Sequence, residues 1–169
     1  MRKAIVCFSI VSILCFLPCI SNHALTSEDW IKYTSKEYGF TMLVPQGTYF
    51  KEVEYGNGWG SLTADYDGIR LFAIGKLGSK ESASEIEKYG VKVTGVPYHS
   101  WRKIDEGNYS NGWTWYRTVE ANSKGRLLFG DYGVGGKGSY MLVLTTTPED
   151  FESNRADYMK WYNSIQLSK

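Results

Sequence analysis

The sequence predicts an antiparallel α+β domain: a sheet of about six to seven strands flanked by helices, an α/β/α sandwich. Three observations carry this. Short alternating runs rich in Val, Thr, Tyr and Trp are joined by turn dipeptides such as Asp67-Gly68 and Asn111-Gly112. Helical spacing is confined to Glu81–Tyr89 and to the stretch after Pro148, so helices are few and segregated. Ile69–Leu77 and Ser139–Thr147 are apolar on both sides, which requires cover on both sheet faces. The 169 residues suffice for one domain with a sizeable core, and no repeat, low-complexity stretch or long linker divides them.

Taken in order, residues 1–24 read as a signal peptide. Arg2 and Lys3 form the charged start, Ala4–Leu17 the apolar segment and Pro18–Ala24 a polar-leaning end. A cut after Ala24 or after Ser21 is expected, and residues 25–169 form the single domain. An uncleaved anchor is the competing reading, and a lipid anchor on Cys19 is a further variant. Leu25–Tyr33 is a short entry segment in which Thr26-Ser27-Glu28-Asp29 before Trp30 can start a turn of helix. Phe40–Pro45 is a strand ended by Pro45 and the turn Gln46-Gly47, and Tyr49–Tyr55 an edge strand before the turn Gly56-Asn57-Gly58. Ser61–Tyr66 and Ile69–Leu77 flank Asp67-Gly68 as a hairpin, because both turn positions must tolerate positive φ.

Glu81–Tyr89 is a short helix closed by Gly90. Val91–Ser100 is irregular or extended, broken by Gly95 and Pro97. Trp101–Tyr109, Trp113–Ala121 and Arg126–Val134 are successive strands joined by turns. In Ser139–Thr147, Tyr140, Leu142 and Leu144 share one face and Met141, Val143 and Thr145 the other. Thr147 then stands as a helix N-cap with Pro148 at the first helical position, and Glu149 and Asp150 favour the positive helix end. Phe151, Tyr158, Met159, Tyr162 and Ile165 form one stripe of an amphipathic C-terminal helix, with Glu152, Asn154, Lys160 and Asn163 mostly off it. That stripe is expected to pack on the sheet.

Composition excludes several chemistries. The net charge is +1, and removing Arg2 and Lys3 with the leader leaves 17 basic against 18 acidic residues, so neither nucleic acid nor an anionic membrane surface is favoured. Cys7, Cys15 and Cys19 all fall in the leader, which leaves no disulfide framework, thiolate metal site or cysteine nucleophile. An exported chain without cysteine suits a bacterial envelope, periplasmic or extracellular, better than a disulfide-rich module.

In its order of parts the chain resembles the PsbP-like family. The resemblance rests on Gly39-Phe40 with Val44-Pro45, on the mid-chain helix Glu81–Tyr89, and on Gly138-Ser139-Tyr140 leading through to Ile165. It covers nearly all of Tyr33–Leu167, and its motifs are mostly structural. It implies an antiparallel sheet between helices and transfers no catalytic residue. Members of that family include a lumenal photosystem subunit, a Ran-binding factor and bacterial envelope proteins of the DcrB-like group. The leader here has no twin arginine, which points away from the photosystem role.

Several constellations have a structural reading that outweighs the chemical one. Gly133-Val134-Gly135-Gly136-Lys137-Gly138 matches GxGxxG, yet it leads into a strand where a phosphate site needs a helix N-terminus, and Lys137 is followed by Gly. It reads as a strand connection. Asp65-Tyr66-Asp67-Gly68 lacks the later ligands of a calcium loop and reads as a turn. His99, beyond the leader, stands alone with no nucleophile or orienting carboxylate marked, and is expected on an exposed loop. Trp113, Trp115, Val119 and Ala121 share one strand face, expected as core under a helix with Arg117 reaching the rim. Trp59 and Trp101, beside turns, are the candidates for an exposed binding patch.

The functional expectation is an exported, non-enzymatic interaction or assembly domain without a cofactor, bound to an envelope protein of unstated identity. The alternative is a binder of a small lipid, sugar or peptide through an aromatic pocket.

Overall fold

A computed structural model describes residues 30–56, 58–66 and 69–169. The expected leader and the turn residues Asn57, Asp67 and Gly68 lie outside these.

Ten strands form among the described residues, in two antiparallel sheets, more than the six or seven expected. β1 (Trp30–Ser35), β2 (Phe40–Pro45) and β10 (Gln166–Leu167) make a small sheet in the order β1-β2-β10. β3 (Tyr49–Gly56), β4 (Trp59–Tyr66), β5 (Ile69–Leu77), β6 (Trp101–Asn108), β7 (Trp113–Ser123), β8 (Arg126–Gly135) and β9 (Gly138–Thr146) make the large one, in the order β3-β4-β5-β9-β8-β7-β6. Two of the additional strands were hidden for different reasons. The helical turn expected at Thr26–Asp29 lies outside the described residues, and β1, within what reads as an entry segment, pairs along its whole length with β2. A two-residue strand such as β10 has no periodicity to read.

β5 and β9 pair at the middle of the large sheet, from Arg70↔Thr145 to Leu77↔Gly138. Their two-sided apolar pattern is matched by two cores. Leu71, Ala73, Leu142 and Leu144 pack toward Phe40, Met42 and the C-terminal helices, while Phe72, Ile74, Met141 and Val143 pack toward Ile86 of the mid-chain helix. Helical cover on both faces therefore follows the sequence pattern, with the small sheet adding to one side.

The mid-chain helix α1 (Ala83–Thr94) is longer than expected. Ser82 accepts from the Glu85 amide at 3.3 Å, and the helix ends at Gly95 (φ 71°), whose N–H donates to Val91 O at 2.9 Å. Gly90 is not the cap. It lies inside the helix where the backbone presses onto the sheet: a Cβ there would come within 2.3 Å of Met141 Cε and 2.7 Å of the Trp101 ring. The glycine is needed for close approach, and Val91–Thr94, expected to be irregular, stays helical behind it.

The C-terminal stretch starts as expected. Thr147 Oγ1 accepts from the Asp150 amide at 3.2 Å, with Pro148 in the first turn. It is two helices where one was expected, α2 (Pro148–Ser153) and α3 (Arg155–Ser164), parted at Asn154 (φ −117°, ψ 23°). The Asn154 side chain donates to Asp150 Oδ1 at 2.8 Å, an alternative to continuing the helix ladder. Phe151, Tyr158 and Ile165 of the stripe are buried, Met159 and Tyr162 half-buried, and Trp161, outside the expected stripe, is fully buried. The turn at Asn154 rotates the second helix and brings Trp161 inward. Ser164 Oγ accepts from the Leu43 amide at 2.8 Å, and Leu167 N–H donates to Asn111 O at 2.8 Å, so the chain end fastens β2 to the β6–β7 turn. No helix among the described residues is long and apolar enough to cross a membrane.

Candidate functional site

Two places gather polar and aromatic side chains, one on each face of the large sheet. The first lies at the end of α1. Val96 is buried and Pro97 leads into a single 3-10 turn, Tyr98–Ser100, closed by Ser100 N–H and Oγ on Pro97 O. Trp101 follows, its indole N–H held by Val96 O at 3.1 Å. Its ring meets Tyr98 (centroids 5.8 Å apart) and Tyr132 (6.2 Å), and Tyr132 meets Trp115 edge-on at 6.3 Å. Tyr98 is 54% exposed and Trp101 half-buried, so the cluster opens to solvent.

Charge rims this cluster. Glu87 of α1, only 8% exposed, accepts a short hydrogen bond from Tyr132 and lies 3.5 Å from Arg117 Nη1. Arg117 Nε is 3.4 Å from Glu106, which also pairs with Lys103 at 2.9 Å. The Glu87 carboxylate pushes the Tyr98 hydroxyl up from its ordinary value. Desolvation, then the bond to Glu87, pushes Tyr132 well up. Both tyrosines stay neutral donors at any physiological pH.

The structure treats the two expected patch residues differently. Trp101 is at the surface cluster. Trp59 is not exposed: it begins β4 under α1, is 2% exposed, and stacks on Tyr89 with ring centroids 4.7 Å apart. Its place beside a turn is offset by the helix that crosses that end of the sheet. The two are not brought together either. β5, β9, β8 and β7 lie between their strands, about 24 Å at ~4.8 Å per strand step.

The aromatic strand also divides. A bulge between Trp113 and Trp115 shifts the register from Trp113↔Gly135 to Trp115↔Val134. One extra residue sends the two indoles to opposite faces. Trp115, Val119 and Ala121 face α1 as expected, while Trp113 is buried on the other side against Tyr140.

That other side holds the second place, a cleft of about 50 Å³ lined by Ser110, Asn111, Trp113, Tyr116, Tyr162 and Asn163, with Asp131 and Ile165. Asp131 is 6% exposed, and its Oδ1 accepts from Thr118 Oγ1 at 2.7 Å and from Tyr162 OH at 3.0 Å. Burial pushes its carboxyl up to about 6; the two hydrogen bonds oppose this and the nearby Asp105 charge adds to it. Sequence reading passed over Asp131. The signal was an acid in mid-strand between neighbours that are buried on both faces.

A pH dependence follows. The folded carboxyl binds a proton more tightly than the unfolded one, so between about pH 4 and 6 stability falls as pH rises. A shift of roughly two units corresponds to about 3 kcal/mol. Asp131→Asn is expected to flatten that slope and to raise stability near neutral pH. Urea unfolding of both proteins across this range checks it, and parallel slopes would show that Asp131 does not titrate there.

Other residues keep their structural readings. His99 is exposed on the 3-10 turn, on the opposite face from Asp131. Asp65 is taken by Arg70 at 2.6 Å. Gly133–Gly138 joins β8 to β9 as a strand connection. Among the described residues no group of three or more His, Cys, Asp or Glu is placed to hold a metal.

Fold and surface together define a class: an antiparallel α+β sandwich with an open aromatic cluster at one helix end. No family model matches the chain, and no curated protein matches it by sequence. Among solved structures it is similar to the solution structure of cyanobacterial PsbP (CyanoP) from Synechocystis sp. PCC 6803, with TM-score 0.58 and 13% identity over 89% of this chain and 99% of that one. The fold is PsbP-like.

Proposed function

We propose that this chain is an exported, non-enzymatic interaction or assembly domain of a bacterial cell envelope, and that it holds a partner protein at the Tyr98–Trp101 cluster. The observation that supports this is the exposed Tyr98 against the half-buried Trp101, beside Tyr132 and Trp115 and rimmed by Arg117, Glu106 and Lys103. Tyr, Trp and Arg are the residues that carry most binding energy in protein interfaces, inside a rim of charge. The 3-10 turn and the Trp101–Val96 hydrogen bond hold the rings in place before binding, which lowers the ordering cost. The alternative, a binder of a small lipid, sugar or peptide through an aromatic pocket, finds little support in the described cleft, whose volume suits a few waters or one small headgroup.

Tyr98→Ala is expected to weaken partner capture at least tenfold, about 1.4 kcal/mol, with an unchanged melting temperature. Trp101→Ala is expected to weaken it as much, with some loss of stability because Gly90 and Tyr132 pack on its ring. His99→Ala leaves capture intact. The measurement is affinity capture from the native envelope followed by mass spectrometry. The reading fails if both aromatic variants capture as wild type while His99→Ala does not. Intact mass of the exported chain, starting near Leu25 or Asn22, checks the leader.

A further inference from the structure

We propose that the cleft between the β6–β7 turn and α3 binds a small organic ammonium group, with Asp131 as its counter-charge and Trp113, Tyr116 and Tyr162 as its walls. The site is independent of the Tyr98–Trp101 cluster, since it opens on the other face of the sheet.

The geometry points this way for four reasons. First, the Asp131 carboxylate is only half used. Oδ1 takes both protein hydrogen bonds, whereas Oδ2 has no hydrogen-bond partner among the described residues and is not sealed from solvent. Second, the surrounding charge is negative. No Lys or Arg lines the cleft, and Asp105, whose carboxylate accepts from Tyr116 OH at 3.4 Å, stands beside it. An anion is repelled there, and a cation relieves the cost of keeping Asp131 ionised.

Third, the walls are aromatic. The Trp113 and Tyr116 rings meet at 6.4 Å with planes 47° apart, forming a corner, and Tyr162 stands by its hydroxyl against Asp131. Gly107 maintains the corner: a Cβ there would fall within 2.7 Å of the Tyr116 ring. Fourth, the remaining lining of Ser110, Asn111 and Asn163 supplies acceptor oxygens, and an ammonium needs only acceptors. About 50 Å³ admits such a headgroup.

A purely structural Asp131 is the competing explanation, and an asparagine separates the two. Its amide oxygen accepts from Thr118 and Tyr162 as the carboxylate does, without the charge.

The test is titration of the ¹⁵N-labelled chain with methylammonium chloride near neutral pH, against sodium chloride at equal ionic strength. Saturable shifts are expected at the Trp113 indole and the Asn111 and Asn163 amides. Asp131→Asn is expected to weaken binding at least tenfold while its melting temperature holds or rises. Tyr116→Leu is expected to weaken binding with Asp131 in place, which covers the case of an unstable Asp131 variant. Protonation of Asp131 is expected to weaken binding about tenfold near pH 5. Facing it from the packed elements are Asp105 of β6, Tyr116 of β7 and Tyr162 of α3; neither tyrosine ionises in that range. Nα-acetyl-lysine methylamide forms a second arm: tighter binding than methylammonium assigns the site to a lysine side chain, and equal or weaker binding to a free amine. Shifts that sodium chloride reproduces, or that survive undiminished in Asp131→Asn, overturn the proposal.

Discussion

Phe151→Ala is expected to lower stability by about 3–5 kcal/mol, a large share of the ~5–15 kcal/mol typical of a domain. Phe151 is 1% exposed at the first turn of the C-terminal helices. It stacks on Tyr158 (5.3 Å, 7°), meets Phe129 of the sheet at 5.4 Å, and is capped outside by Arg155 at 5.0 Å. Its removal empties a space that ring neighbours from α3 and β8 share, and neither can fill it without leaving its own packing. Lys160→Ala is the control. Lys160 is off the buried stripe, but its ammonium lies 5.1 Å from the Trp30 ring, so a loss of about 0.5–1 kcal/mol is expected. Urea unfolding followed by tryptophan fluorescence measures both. Equal losses would contradict the assignment of this helix face as core.

Gly130→Ala is expected to be the most damaging small substitution, at about 2–6 kcal/mol from overpacking and backbone strain together. Gly130 lies mid-strand in β8 with φ +146°, and a Cβ there would stand 2.3 Å from Leu142 O and 2.8 Å from Val143 Cα. Both are backbone atoms of the central strand β9, so the clash cannot be relieved by a rotamer change. Gly47 separates the two contributions. It also has a positive φ, +85°, but its Cβ would meet nothing within 4 Å, so Gly47→Ala is expected to cost only about 1–2 kcal/mol of conformational strain. The comparison of the two midpoints decides. A Gly130 variant no worse than the Gly47 variant would mean that the β8–β9 spacing is loose enough to admit a methyl group.

Much of what depends on near neighbours in the chain is legible in the sequence, although the local break at Asn154, bonded to Asp150, is not. The two-sided pattern of Ser139–Thr147 placed Leu142 and Leu144 in one core and Met141 and Val143 in the other. The Thr147-Pro148 start of α2, the hairpin from Ser61–Tyr66 to Ile69–Leu77 and the edge position of β3 were equally readable, because capping and side-chain alternation are local. Trp101 could be named as a surface candidate from its neighbourhood.

The remainder was decided by elements that meet only in the fold. Trp59 has the same sequence context as Trp101, beside a turn, and is buried because α1 crosses it. Gly90 reads as a helix stop and is a contact point, since Met141 and Trp101 lie against it. One bulge parts Trp113 from Trp115, and that parting places an indole in the Asp131 cleft. Asp131 itself acquires its raised pKa from burial between the sheet and α3, with the Asp105 charge adding to it and the hydrogen bonds from Thr118 and Tyr162, the latter thirty-one residues away, opposing it. An alternating pattern states which residues share a face; which helix lands on that face, and how closely, is set by packing between segments distant in sequence, so the cleft and the exposed cluster belong to the tertiary structure alone.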